Sequence, residues 1–294
     1  MERIKRYIYL MPVILFITLF FIYGFIYGLL QSFGLNKITG ESVFTLEYYI
    51  KVLKSESFLD SLVFTSKMAL CSSFLSLLIS IGLLFFLYLN LKSGYFKGGY
   101  FKKIIESPLL VPYLVASYLI LILLLQNGFI SRCLVSTGII ESYREFPIIT
   151  NDEKGIGIML TYVWKTCPFV VMMSFPVLQR INKKWDAVAY IFGVGKIRFF
   201  FEVVLPLMGP SLLMSFFIII AYMFTAFETP YILGVTYPKA LAVMAYDMYS
   251  KGDLADRPNL MVINMFISLV SMTGGVLVYY LHKFTVGKNQ RAWD

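Results

Sequence analysis

Two ionisable residues stand where charge is expensive. Glu228 is the only acid deep within an apolar run, in the order Phe227-Glu228-Thr229-Pro230, and Lys165 sits in another run, after Trp164 and before Pro168. A charge inside such a segment costs on the order of 3 kcal/mol unless it is paired, wet or used, so each residue is a functional candidate by default. The chemistry open to them is recognition rather than bond making. A carboxylate can hold an amine through a charge-assisted hydrogen bond worth roughly 1.5–3 kcal/mol. A lysine beside a proline-broken helix can line a path. Glu228, Lys165 and Trp164 are therefore the candidate substrate-pathway residues. The competing reading pairs Glu228 with Lys67 or Lys165, or lets these side chains reach the interface. The single histidine, His282, lies at the end of the last apolar run and excludes a His-built metal site. Cys71, Cys133 and Cys167 have no metal or redox spacing, and Cys71 and Cys167 read as small packing residues within spans. No Gly-rich Lys-Ser/Thr phosphate loop occurs, and no hydrophilic stretch is large enough to be an ATPase. No catalytic residue, metal or cofactor is expected, and any ATP chemistry must belong to another chain.

The elements that position these residues follow from composition. Hydrophobic residues make up 59% of the 294 and charged residues 15%, with 27 Phe and 21 Tyr, the signature of a polytopic membrane protein with interfacial aromatics. Six apolar runs read as spans: Tyr7–Leu30, Phe58–Leu91, Ser107–Leu125, Gly155–Leu178, Pro210–Leu233 and Leu260–Leu281. The first run is about 24 residues and lacks a small-residue cleavage site, so it reads as an uncleaved span rather than a signal peptide. Residues 126–154 read as an outside loop with its own short helix. Fifteen of the 26 Lys/Arg fall in the N-terminus, the second–third loop, the fourth–fifth loop and the tail, and nine in the three longer alternate loops. Short basic loops stay inside, so both termini are expected in the cytoplasm. That distribution also explains the net charge of +9 as membrane orientation rather than nucleic-acid binding. The expected fold class is an all-α membrane protein of six transmembrane helices. It divides into a first helix and outside loop (1–57), a five-helix core (58–284) and a tail (285–294).

The stretch Arg180 to Pro210 organises the core. It carries five Lys/Arg against Asp186 and Glu202, and its pattern predicts two short helical pieces, Lys184–Phe192 and Lys196–Val204, broken at Gly193–Gly195. Pro206 and Pro210 mark entry into the next span. Its spacing resembles the cytoplasmic loop of permease subunits of type I binding-protein-dependent ABC importers. That pattern is Glu-Ala-Ala, three residues, Gly-Ala, five residues, Phe, two residues, a β-branched residue, one residue, Leu-Pro. Ala189, Gly193, Phe200, Val203, Leu205 and Pro206 fall at the matching intervals, and Val194 replaces the Ala of the Gly-Ala pair. The Glu of the pattern falls on Ala187, with an acid one place earlier at Asp186.

The resemblance implies a six-helix importer-permease fold in a bacterial cell membrane. It implies a second permease subunit, two ATP-binding subunits and an extracytoplasmic binding protein as partners. It also implies that the loop is a coupling helix lying in a cleft of the ATPase. The coupling set is then Asp186, Ala187, Ala189, Tyr190, Gly193, Gly195, Ile197, Phe200, Leu205 and Pro206, with Tyr190, Ile197 and Phe200 as buried anchors and Gly193 as the close-approach residue. The residues around Gly193, and Phe227-Glu228-Thr229-Pro230-Tyr231-Ile232-Leu233-Gly234, look most like the polyamine, iron and phosphonate branch, so a small polyamine-like solute is the expected cargo. A sugar-type importer is the alternative, and a secondary transporter or channel without an ATPase is the reading from another class. Tyr231, Tyr237, Tyr246 and Tyr249 form either a docking rim for the binding protein or an aromatic belt.

Overall fold

The structure, a computed structural model, describes residues 2–35, 43–90 and 100–293, with side chains for 9–35, 43–90, 103–181, 185, 191–280 and 283. It is all helical, with no β-strand among the described residues. Helix α1 (Glu2–Ile17) passes through a π-helical turn, Thr18–Ile22, into α2 (Tyr23–Ser32). A short α3 (Glu47–Lys54) leads into α4 (Glu56–Asn90). Then come α5 (Tyr100–Glu106), α6 (Tyr113–Leu124), α7 (Phe129–Ser136) and α8 (Ile156–Ile191). The chain closes with α9 (Lys196–Phe199), α10 (Leu205–Thr225), α11 (Glu228–Leu233), α12 (Leu241–Lys251) and α13 (Arg257–Trp293). Six stretches of the described residues are long and apolar enough to cross a membrane.

The bundle is inverted relative to a soluble core. Helix α4 turns Ser72, Ser73, Ser76 and Ser80 inward, while Leu70, Phe74, Leu78 and Ile79 are exposed. Small hydroxyl residues let helix backbones approach, and lipid satisfies the large apolar side chains. Ser76 Oγ pairs with Thr166 Oγ1 at 2.6 Å, and Ser80 donates to the Cys167 carbonyl at 3.1 Å, which locks α4 on α8. Cys167 is buried in this seam, as a packing residue should be, whereas Cys71 is exposed on the outer face of α4, contrary to the sequence expectation. Helix α13 packs on α10 through Gly274, whose place a Cβ would fill only 3.0 Å from that of Ala221. On its other side α13 meets α2, where Gly28 faces Met265 and Met261.

Three elements differ from the sequence reading. The third crossing is broken: Ser107–Leu110 is a 3₁₀ turn, Val111 and Pro112 are extended, and α6 has 12 residues, about 18 Å at 1.5 Å per residue. That is too short to span alone, and the apolar stretch is completed by α7, over Tyr113–Ser136. The loop is also not two short helices. Helix α8 runs unbroken for 36 residues to Ile191, and α9 joins α10 through a π-helical turn, Phe200–Val204. The expected piece Lys184–Phe192 is the end of the fourth span itself, because no proline or glycine between Pro176 and Gly193 interrupts backbone hydrogen bonding. Finally, the fifth span ends at Thr225 and turns at Ala226 into the separate α11.

Gly193 lies at the tip between α8 and α9 with φ +66°, and nothing within this chain comes within 4 Å of a Cβ there. Its requirement is conformational rather than steric. Left-handed backbone costs a non-glycine residue roughly 1–2 kcal/mol, and asparagine less. Gly193→Ala is therefore expected to lower the stability of the isolated permease by about 1 kcal/mol and Gly193→Asn by less, read as the shift in thermal unfolding. Equal losses for both would show that crowding, not φ, sets the preference.

At the opposite end of the bundle, connecting segments are tied down by polar contacts. The Asp152 carboxylate caps α8 at the Ile156 N–H (2.9 and 3.1 Å), and the Asn151 N–H donates to the Leu233 carbonyl at 3.0 Å. Tyr237 donates to Asp60, and Lys239 and Lys251 both bond Asp247 of α12. The hydrogen bond from Lys239, and then that from Lys251, hold the Asp247 carboxyl below its ordinary value of 3.8. A depressed folded-state pKa contributes stability above the unfolded value and loses it as pH falls through the folded one. Unfolding temperature should therefore drop on acidification below about pH 4, and Asp247→Asn should flatten that limb while lowering stability at neutral pH. An unchanged acid limb in Asp247→Asn would remove the pair from the account.

Candidate functional site

A cavity of about 270 Å³ lies where the broken third crossing meets α8 and α10, lined by Tyr113, Lys165, Thr166, Phe169, Tyr222 and neighbouring apolar residues. Helix α8 builds one wall from a single face, since Lys165, Thr166 and Phe169 lie within one turn of one another. Lys165 is 3% exposed. Its Nζ donates at 2.5 Å to the carbonyls of both Pro108 and Val111 and lies 4.9 Å from the Tyr113 ring centroid. The Val111 carbonyl is released where the 3₁₀ turn ends and Pro112 bars continuation of a helix, and the Pro108 carbonyl also accepts the Val111 N–H at 3.3 Å. One ammonium thus satisfies the irregular backbone that lines the cavity, which is where irregular backbone at membrane depth is tolerated. No carboxylate bonds Lys165 among the described residues. The competing reading, a Glu228 pair with Lys165 or Lys67, finds no bond among the described residues, and Lys67 is exposed on α4.

Three tyrosines surround this point. The Tyr113 and Tyr222 ring centroids are 4.9 Å apart. Tyr162 stands edge-on to Tyr113 with ring centroids 6.5 Å apart, and its buried hydroxyl has no hydrogen-bond partner among the described residues. A buried hydroxyl left unpaired costs about 1–3 kcal/mol. Glu228, half-buried in the first turn of α11, lies within electrostatic reach of all three phenols. Helix α11 is held to α6 by the Ser117–Thr229 hydrogen bond at 2.9 Å. Trp164, one position from Lys165, is 39% exposed and is not part of the cavity wall.

The loop is a second candidate site. Ile191, Phe192, Ile197 and Phe201 are exposed at the tip, Ile191 by 79% and Phe192 by 77%, an apolar patch projecting past the bundle. Phe200 is different. It is fully buried, with its ring centroid 4.9 Å from that of Phe85 and 5.4 Å from that of Tyr88. It anchors the loop to α4 of its own chain, which corrects the expectation of a partner-facing anchor. Gly195 precedes α9 in extended conformation, Leu205 is half-buried and Pro206 opens α10. The side chains of Asp186, Ala187, Ala189 and Tyr190, and that of His282, lie outside the described residues. Among the outer tyrosines, Tyr231 and Tyr246 interleave with Phe227, and Tyr249 stacks under Arg257 at 4.1 Å, with all three tyrosines partly open to the surroundings.

The chain superposes on a solved bacterial ABC transporter involved in the import of the acidic polysaccharide alginate with a TM-score of 0.72, over 97% of both chains at 19% identity. A second structure, of the alginate ABC transporter in complex with alginate pentasaccharide-bound periplasmic protein, gives 0.73 over 95% of this chain and 96% of that one at 17% identity. The fold is that of an ABC importer permease. No protein-family model matches the chain. It is 29% identical over 209 residues to the sn-glycerol-3-phosphate transport system permease protein UgpA of Yersinia enterocolitica, covering 68% of this chain and 63% of that protein. It is 25% identical over 263 residues to UgpA of Agrobacterium fabrum, covering 85% of each. A shorter stretch of 77 residues is 37% identical to the sulfoquinovosyl glycerol transport system permease protein SmoG of Agrobacterium fabrum, a quarter of that protein's length. The chain thus spans from a quarter to a little under two thirds of the first curated relatives it matches. Six apolar crossings in this permease fold make it a multi-pass bacterial inner-membrane protein.

Proposed function

We propose that this chain is the transmembrane permease subunit of an ABC importer and passes a polyhydroxylated, anionic solute of the sugar or glycerol-phosphate kind. The observation that carries the reading is the buried Lys165 ammonium, held by carbonyls and not by a carboxylate, on a cavity that Tyr113 and Tyr222 also line. An unneutralised cation attracts phosphate, sulfonate or carboxylate and repels a polyamine. The relatives' names support the same class, since sn-glycerol 3-phosphate, sulfoquinovosyl glycerol and alginate are all hydroxyl-rich acids. The polyamine expectation, which rested on the residues around Gly193 and the stretch around Glu228, gives way to the sugar-type alternative. Glu228 then serves the tyrosine cluster rather than the cargo's charge. Trp164 has no place beside the solute in this reading.

The chain itself hydrolyses nothing. Two ATP-binding subunits supply the energy, a second permease subunit completes the pathway, and a binding protein delivers the solute on the extracytoplasmic face, with both termini in the cytoplasm. The exposed Ile191, Phe192 and Ile197 at the Gly193 tip fill the ATPase cleft, with the segment Asp186–Tyr190 beside them and Gly195, Leu205 and Pro206 shaping its return. In the reconstituted complex, binding protein loaded with glycerol 3-phosphate or a uronate oligosaccharide should stimulate ATP hydrolysis, and the spermidine-loaded form should not. Stimulation by spermidine alone would overturn the substrate class, and stimulation by none of these with the ATPase bound would overturn the sugar-type reading.

A further inference from the structure

A second polar cleft, of about 550 Å³, opens at the end of the bundle opposite Gly193, between the end of α6 and the segment that leads into α8. Its wall carries the side chains of Gln126, Asn127, Tyr143, Arg144, Thr150 and Asn151. We propose that this cleft is a saccharide-binding site, separate from the Lys165 cavity. Three amides, a hydroxyl and a guanidinium supply the mixed donors and acceptors that ring hydroxyls require, and the partly exposed Tyr143 ring offers a flat face for the C–H side of a sugar.

The charges favour a neutral or acidic sugar. Arg144 has no ion-pair partner among the described residues, because the nearby acids are otherwise engaged. Glu145 Oε2 accepts the Glu141 N–H at 3.0 Å, and both Asp152 oxygens accept the Ile156 N–H.

The walls are also fixed in advance. A Cβ on Gly128 would lie 2.6 Å from the Ile122 carbonyl oxygen, and one on Gly157 would lie 2.8 Å from that of Ile149. Asn151 takes a left-handed backbone, φ 54°, and is tied to Leu233 of α11. Gln126 Nε2 donates to the Phe146 carbonyl at 3.2 Å, closing the rim. Crowded glycines and a left-handed non-glycine residue around one polar hollow are the marks of a preorganised binding surface. The inference does not depend on what drives transport.

The test is direct binding to the purified permease in nanodiscs, without binding protein or nucleotide. Saturation-transfer NMR with D-glucose and D-glucuronate as probes, and spermidine as control, should show transfer to both sugars and none to the amine. Tyr143→Ala and Arg144→Ala should each weaken sugar binding at least fivefold, while Lys154→Ala, a cation of the same segment outside the cleft, should leave it unchanged. Circular dichroism of each variant confirms that the bundle is intact. Absence of transfer to either sugar overturns the proposal, and so does transfer undiminished in both cleft variants. A cleft that instead receives a side chain of the binding protein would lose attachment of that protein in Arg144→Ala while showing no sugar signal, which overturns it equally. Solute-stimulated ATP hydrolysis, measured separately, tells this failure from failure of the importer reading.

Discussion

Lys165→Met should reduce uptake of an anionic solute at limiting concentration by about 10- to 100-fold, the equivalent of losing one charge-assisted hydrogen bond of roughly 1.5–3 kcal/mol. The same change removes the donor from the Val111 carbonyl, which then costs about 1–3 kcal/mol if left dry, while the Pro108 carbonyl still accepts the Val111 N–H at 3.3 Å. Lower thermal stability should accompany the loss of transport, and stability alone cannot separate the two roles. Selectivity can. If Lys165 only splints the broken third crossing, uptake of anionic and neutral solutes should fall together. If it also meets the cargo, the ratio of anionic to neutral uptake should fall about tenfold, and Lys165→Arg should recover part of that ratio even where the larger side chain strains the cavity. A ratio unchanged in Lys165→Met would reduce the residue to a structural splint and would leave the anionic substrate class without its main support.

Phe200→Ala should lower the melting temperature of the isolated permease by roughly 10 °C. Deleting a fully buried phenylalanine costs about 3–5 kcal/mol, and in chains of this size each kcal/mol shifts melting by roughly 2–4 °C. The ring sits between Phe85 and Tyr88 of α4, so its loss uncouples the α9–α10 corner from the bundle. Phe200→Leu should cost less than half as much. ATPase attachment should weaken in parallel with this loosening rather than independently of it. If Phe200→Ala melts like the parent protein yet fails to bind the ATPase, the ring serves the partner and the packing account is wrong. The contrast is Ile197→Ala at the exposed tip, which should leave melting unchanged and weaken ATPase binding.

Much of this molecule is legible in its sequence, for identifiable reasons. The crossings are visible because lipid demands long apolar runs, and the Gly193–Gly195 break because only glycine enters the left-handed region freely. Length was misjudged where a span leaves the apolar zone. Helical hydrogen bonding does not need apolar side chains, so α8 continues through Arg180, Lys183 and Asp186 with nothing to stop it before Gly193. The π-helical turn at Phe200 carries no composition signal, and its extra residue turns Phe199, Phe200 and Val204 inward together. Lys165 and Glu228 were visible as charges in apolar runs, but their partners were not, because the lysine's partners are backbone carbonyls. The tyrosines of the cavity were missed in favour of the charges. Their signal was present in Tyr162, Lys165, Thr166 and Phe169, a polar and aromatic stripe at helical spacing within an apolar span.

The unbroken α8 makes the chain a lever. At about 1.5 Å per residue its 36 residues extend roughly 54 Å, and some 39 Å separate Lys165 from Ile191. Pivoted near Lys165, a swing of about 5° moves the Ile191 tip by roughly 3 Å on the same arithmetic. Read in reverse, a displacement of a few ångströms imposed at the tip becomes only a small rotation of the cavity wall, with mechanical advantage on the side of the outer drive. Pro168 and Pro176 interrupt the ladder of backbone bonds along this arm, so its compliance is concentrated at two points just beyond the cavity. A force arriving at Ile191 therefore bends α8 there before it disturbs the grip of Lys165 on Pro108 and Val111.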